Sequence, residues 1–195
     1  MAYETYITDA VVVGSFASNT ADKSYVLFTE RAGLLYATAR SVREERSRQR
    51  YALQDFAHIT VTLVKGKAGW RIGSVDIYDN FFTIATTREA RGSIVRLTKL
   101  VRRYVQGEVP DPHLYAEFLE AITFLGRSAV PDRVTFDELA AVRLLVQLGY
   151  VAPERDLLPL VGAAYVTLDP AQVAAAEAAI HEAYRGAQAV SHLEG

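Results

Sequence analysis

The sequence has no cysteine, one methionine, one tryptophan and only four histidines in 195 residues. Zero cysteines exclude disulfides and thiolate zinc sites, and they fit a reducing compartment. A metal would need His, Asp or Glu alone, yet His58, His113, His181 and His192 are scattered along the chain. The stretch His181-Glu182-Ala183-Tyr184-Arg185 lacks the second histidine that would set two ligands on one helical face. Glu177 and His181 share a helical face at a spacing of four, which suits a surface hydrogen bond better than a metal pair. Also missing are the phosphate-cradling Gly-x-x-x-x-Gly-Lys, the Gly-x-Ser-x-Gly elbow and the Gly-x-Gly-x-x-Gly turn. Asp9 and Asp22 are better read as turn or capping residues than as a catalytic carboxylate pair. The residues therefore point away from an enzyme, and no cofactor is expected. No apolar run approaches the roughly 20 residues that span a bilayer, and the start MAYETYITDA has neither a basic beginning nor a long apolar segment. The expectation is a cytoplasmic protein.

What is present is a chain with 50% hydrophobic residues, enough for a real core, and a formal net charge of −2. Against that near-neutral background, Gly33 to Phe56 stands out. An apolar run, Gly33-Leu34-Leu35-Tyr36-Ala37-Thr38-Ala39, gives way to Arg40, Arg43, Arg46, Arg48 and Arg50, opposed only by Glu44 and Glu45. A local cationic cluster on a near-neutral protein is a hint of a polyanion site. An arginine cluster also serves simply as a solvated loop, and that alternative stands beside it.

From Tyr3 to Ile77 the pattern is that of strands. Residues 6–13, 24–29, 34–39, 56–64 and 70–77 are rich in β-branched and aromatic side chains and are separated by turn signals such as Glu30-Arg31-Ala32-Gly33 and Lys65-Gly66-Lys67-Ala68-Gly69. Five strands in about 75 residues suit a small barrel of the OB type better than a sandwich, which needs about seven. After Asn80 the period changes to about 3.6. Thr86 with Glu89 reads as a capping box ahead of the stripe Ile94, Leu97, Leu100, Val101, Tyr104 and Val105, with Gly107 as its end. Pro110 and Pro112 mark a linker, Leu114 to Leu125 a second helix, and Thr135 with Glu138 a further capping box before a helix ended by Gly149. Residues 153–165 give no readable pattern. Asp169 as N-cap and Pro170 at the first helical position open an alanine-rich helix with Val173, Ile180 and Tyr184 turned inward. The expected architecture is α+β: a five-stranded OB-fold barrel over 1–80, followed by an all-α helical domain over 81–195.

Several segments, in order, resemble the bacterial recombination mediator family RecO. Residues 6–13 are similar to that family's opening strand, and Ala21-Asp22-Lys23 with Leu27-Phe28-Thr29-Glu30-Arg31-Ala32-Gly33 to its second strand and turn. Ala39-Arg40-Ser41-Val42-Arg43 falls where the family typically carries Ala-Lys-Gly-x-Arg, and Leu53-Gln54-Asp55-Phe56 resembles a Leu-Gln-Pro-Phe segment. Gly107 to Tyr115 resembles the helix-linker-helix joint. Glu138-Leu139 through Arg143-Leu144-Leu145 to Leu148-Gly149-Tyr150-Val151-Ala152-Pro153 resembles the helix that precedes a four-cysteine zinc segment in many members. That zinc segment has no counterpart here, and the Lys-Gly pair is replaced by Arg40-Ser41.

The resemblance implies a nonenzymatic DNA repair and recombination protein that binds single-stranded DNA, and duplex DNA as well. It would anneal strands or load recombinase alongside a RecR-like partner and single-strand binding protein. The candidate DNA-binding residues are Lys23, Arg31, Arg40, Arg43, Arg46, Arg48, Arg50, Lys65, Lys67 and Arg71, with Tyr36, Tyr51 and Trp70 as candidate stacking rings. Tyr36 and Trp70 lie in strand patterns and fit a core role better. Arg88, Arg91, Arg96, Lys99, Arg102 and Arg103 give the first long helix a cationic outer face that would either extend a DNA path or be merely solvated. The rival reading is a degenerate OB-fold protein-interaction module with no DNA binding, which Glu44, Glu45 and the overall −2 charge favour.

Overall fold

The computed structural model describes residues 4–17, 22–42, 49–127 and 129–190. Five strands come first: β1 Glu4–Ala17, β2 Lys23–Thr29, β3 Gly33–Ala39, β4 Ala57–Gly66 and β5 Gly69–Asn80, with the short helix α1 Gln49–Ala52 between β3 and β4. They close into a barrel in the order β1-β2-β3-β5-β4, with β1 antiparallel to both β2 and β4. This closed five-stranded order with a helix between the third and fourth strands is an OB-fold. β4 shows why the sequence folds this way: Ala57, Ile59, Val61 and Leu63 point into the barrel and the residues between them point out. Tyr25, Leu27, Leu35, Ala37, Trp70 and Ile72 fill the same core, so the sole tryptophan is a packing residue rather than a free ring. Register shifts at Val12/Gly14 on β1 and at two places along β4–β5 let these long strands bend enough to close.

The helices that follow are α2 Phe81–Ile84, α3 Arg88–Tyr104, α4 Pro112–Arg127, α5 Arg133–Gln147, α6 Leu158–Val161, a 3₁₀ turn Tyr165–Thr167, α7 Pro170–Ala175 and α8 Glu177–Val190. None among the described residues is long and apolar enough to cross a membrane. The chain divides into two compact units, one of residues 1–84 and 101–115, the other of residues 85–100 and 116–195.

In the first unit, residues 101–115 cover part of the barrel's outer surface. The Leu34 N–H donates to the Gly107 carbonyl at 3.1 Å, and the Tyr115 ring lies 5.5 Å from that of Phe28. Gly33 makes this approach possible. Its φ is +67°, and a Cβ there would meet the backbone of Val109 at 2.5 Å. Burial, reinforced by the carboxylates of Asp9 and Glu30, pushes the Tyr115 hydroxyl well above its usual range.

The second unit is built differently. Arg143 and Glu117 are both buried, with Nη2 donating to Oε2 at 2.8 Å. Arg143 Nη1 donates to the carbonyls of Leu160 and Ala163, Tyr165 donates its hydroxyl to Glu117 at 2.9 Å, and the guanidinium lies 4.1 Å from the Tyr165 ring centre. Burial first and Glu117 second push the Tyr165 hydroxyl upward. These bonds hold the stretch around 157–165, where periodicity gave no signal.

Several sequence expectations shift by a residue or more. The cap of α3 is Thr87, whose Oγ1 accepts from Ala90 N, and not Thr86. The cap of α5 is Asp132, which accepts from Thr135 N, so Thr135 sits inside the first turn. Asp169 does cap α7, but the alanine-rich stretch breaks at Ala176 into two helices. His181 faces Glu138 of α5 at 3.1 Å, so its hydrogen bond crosses between helices and does not run to Glu177. Gly149, at φ +78°, ends α5 as expected: Gly149 N donates to Val146 O and Tyr150 N to Leu145 O.

Candidate nucleic-acid interface

Across the barrel, Phe16 of β1 pairs with Ser24 of β2, Ser24 with Thr38 of β3, and Thr38 with Arg71 of β5. Directly opposed residues share a sheet face, so these four side chains form one row on the outside of the barrel. The hydroxyls of Ser24 and Thr38 are 3.2 Å apart in its centre. Tyr36, two residues before Thr38, is on the same face. Its ring is 62% exposed and lies 6.3 Å from that of Phe16, itself 49% exposed. Arg71 is exposed at one end of the row, and Arg40 is exposed just past the end of β3. The turn carrying Arg40 is fixed by the Ser41 N–H, which donates to Asp22 at the start of β2 at 2.9 Å. Ser41 adopts φ +52°, a left-handed conformation that favours glycine.

Beside this row, at the barrel mouth, opens a cleft of about 650 Å³ whose walls include Lys23, Tyr25, Val42, Arg50, Tyr51 and Asp55. Lys23 stands 5.2 Å from the ring centre of Tyr25, and Tyr51 is 68% exposed. The Tyr25 hydroxyl is pushed up to about 12, by burial first and the Asp55 carboxylate second, so it stays a neutral donor at physiological pH. Asp55 is held by Ser15, whose hydroxyl donates to it at 2.6 Å.

Four of the ten sequence candidates are thus brought to one region: Lys23 and Arg50 in the cleft, Arg40 and Arg71 at the row. Arg43, Arg46 and Arg48 lie outside the described residues. Three others go elsewhere. Arg31 is in the turn after β2, whose last residue Thr29 is six residues and about 20 Å along the strand from Lys23, and its guanidinium is 3.7 Å from Glu30. Lys65 pairs with Glu108 at 3.2 Å and lies 4.8 Å from the Trp70 ring centre. Lys67 is exposed on the β4–β5 turn.

Sequence reasoning missed Phe16 entirely and favoured a core role for Tyr36. The strand alternation carried a usable signal, since Tyr36 is out of phase with the inward Leu35, Ala37 and Ala39. Among the described residues, no group of three or more His, Asp or Glu side chains could hold a metal ion.

Row, cleft and topology together define an OB-fold protein with a basic, aromatic outer face beside its barrel mouth. Residues 1–81 match the family described as "Recombination protein O N terminal". The chain is also similar to proteins named DNA repair protein RecO. It is 28% identical to the one from Syntrophomonas wolfei over 142 residues, which is 72% of this chain and 56% of that protein. Against the one from Desulfitobacterium hafniense it is 28% identical over 145 residues, 74% of this chain and 52% of that protein. Against the one from Myxococcus xanthus it is 27% identical over 141 residues, 71% of this chain and 58% of that protein. Residues 1–81 are thus similar to the N-terminal part of the RecO family. The chain spans about half the length of the curated relatives it matches.

Proposed function

We propose that this chain is a RecO-like DNA repair and recombination protein of the cytoplasm that binds single-stranded and duplex DNA through its barrel. In this reading, residues 1–80 are the binding domain and 81–195 a helical domain, and the chain anneals strands or loads recombinase without bond chemistry. A RecR-like protein and single-strand binding protein are its partners, and Lys23, Arg31, Arg40, Arg43, Arg46, Arg48, Arg50, Lys65, Lys67 and Arg71 track phosphate.

The observation that carries the proposal is the row from Phe16 to Arg71 with Tyr36 open beside it. Cations neutralise phosphates while exposed rings stack on bases, each ring contributing about 1–3 kcal/mol. Shielding the repulsion between two strands is enough to speed their pairing, and weak multipoint contacts allow release. The similarity of residues 1–81 to the N-terminal part of RecO proteins supports the same reading.

The test is fluorescence anisotropy with a labelled oligothymidylate. Tyr36→Ala should weaken binding about ten-fold or more, the equivalent of one lost stacking contact. Arg40→Ala with Arg71→Ala should flatten the salt dependence by about 0.7 for each phosphate contact removed. Unchanged affinity and slope in both variants would remove this face from the site. The second reading, a degenerate barrel that only docks proteins, is favoured by the carboxylates of Glu30, Glu108 and Asp55 beside Arg31, Lys65 and the cleft. Absence of any oligonucleotide binding by the native chain at low salt would decide for it.

A further inference from the structure

β5 is paired along only part of one of its edges. β3 runs beside it only at Trp70 and Arg71, while β4 pairs with it as far as Asn80. From Ile72 onward, its second edge has no strand against it among the described residues. The Gln49 side chain of α1 donates to the Gly73 carbonyl, and the Asn80 side chain donates to the Asp55 carbonyl at 3.1 Å. Between these two anchors, Ser74 to Asp79 present an open edge of six residues, about 20 Å long. Main-chain donors and acceptors along such an edge are a template for one more strand.

The side chains say which strand fits. Ile77 and Tyr78 are exposed apolar residues on this stretch. Asp76 and Asp79 lie on it, and Asp9 lies beside it, accepting from Thr60 at 2.7 Å and from Tyr78 at 3.3 Å. There is no Lys or Arg between residues 51 and 64 or between 72 and 87. Lys23, Arg40, Arg50 and Arg71 sit at the row and mouth instead, away from this acidic stretch. The acidic edge repels nucleic acid. A second copy of this chain is also disfavoured, because pairing edge to edge would bring two acidic edges together.

We propose that the Ser74–Asp79 edge of β5 docks an extended segment of a partner protein in which β-branched residues alternate with lysine or arginine, added to the barrel as a further strand. Docking there leaves the basic row open, so a partner and a polyanion are held at once.

The probe is an acetylated octapeptide alternating valine with lysine, compared with its valine–glutamate counterpart. The full chain is titrated with each, and binding is read by anisotropy and by amide hydrogen exchange. The lysine peptide should bind at least about ten-fold more tightly than the glutamate peptide, and Asp76→Lys should remove about that factor. Amides within 74–79 should exchange more slowly when the peptide is bound. Asp76 is exposed, so this variant should keep the native melting temperature and oligonucleotide affinity, and folding loss is thereby separated from lost docking. Equal binding of the two peptides, no binding of the lysine peptide at concentrations on the order of 1 mM, or protection confined to amides outside 74–79 would each overturn the proposal.

Discussion

In the barrel unit no charged side chain is buried among the described residues, whereas the helical unit places Arg143 and Glu117 together in its interior. The barrel core is a closed set of apolar side chains that needs no electrostatic help, so its charges are free to sort onto the outside. The helical unit uses a buried ion pair because it has an irregular stretch to hold. Arg143 reaches two main-chain carbonyls that no regular helix satisfies, at Leu160 and Ala163. Charge positions backbone in one unit and is left on the surface, available to ligands, in the other.

The largest expected effect tests the helical side of this contrast. Arg143→Met should cost about 3–5 kcal/mol, because it strands the Glu117 carboxylate in a dry site and frees two carbonyls. Chemical unfolding followed by far-ultraviolet circular dichroism measures it, and a shift below about 1 kcal/mol would mean the pair is not a structural clamp. Arg143→Met combined with Glu117→Met should recover part of the loss, since removing both charges is far cheaper than leaving one unpaired.

On the barrel side the weak points are steric. Gly33→Ala should cost about 3 kcal/mol, from left-handed strain together with a backbone collision at Val109. Trp70, the only tryptophan and part of the barrel core, reports this by fluorescence during urea unfolding. Ser41→Gly works in the opposite direction. Relief of the φ +52° strain should stabilise the barrel by up to about 1 kcal/mol, the gain being reduced by the greater freedom of glycine in the unfolded chain.

The smallest effect is a pH dependence. His58 lies 4.7 Å from the Tyr78 ring and stacks on Phe81, with Nε2 buried and without a hydrogen-bond partner. Burial lowers its proton affinity more than the carboxylates of Asp9 and Asp79 raise it. The unfolded chain therefore binds the extra proton first, and stability should fall as pH drops below about 6.5. His58→Gln should flatten that segment of the stability curve. If the slope between pH 7 and pH 5 is the same in both proteins, carboxylate titration alone accounts for it.

Much of this was legible in the residues, unevenly so. The alternation Ala57, Ile59, Val61, Leu63 identifies a half-buried strand without any neighbour in view, and Asp169-Pro170 identifies a helix start. Capping was harder to place. Thr86 and Thr87 are chemically equivalent as caps, and which one closes the turn depends on where the chain leaves β5 and α2. The 157–165 stretch was unreadable for a similar reason: its order comes from Arg143 and Glu117, far away in sequence, and not from its own periodicity. Of the candidate site, residue type identified Arg40, Arg50 and Arg71, but charge counting could not tell them from Arg31 and Lys65, which face Glu30 and Glu108.

Residue pattern alone shows that β-strands come first and helices follow, and which residues share a face within each. Which outward face is covered and which is open depends on how the segments pack together. Phe28 and Tyr36 both point away from the barrel core on neighbouring strands, yet Phe28 is buried against Tyr115 while Tyr36 stands exposed beside Phe16. Alternation is a property of a single strand, and covering is a property of what another segment lays across it. The bond from Leu34 to Gly107, made possible by the missing side chain of Gly33, helps set where that segment lies.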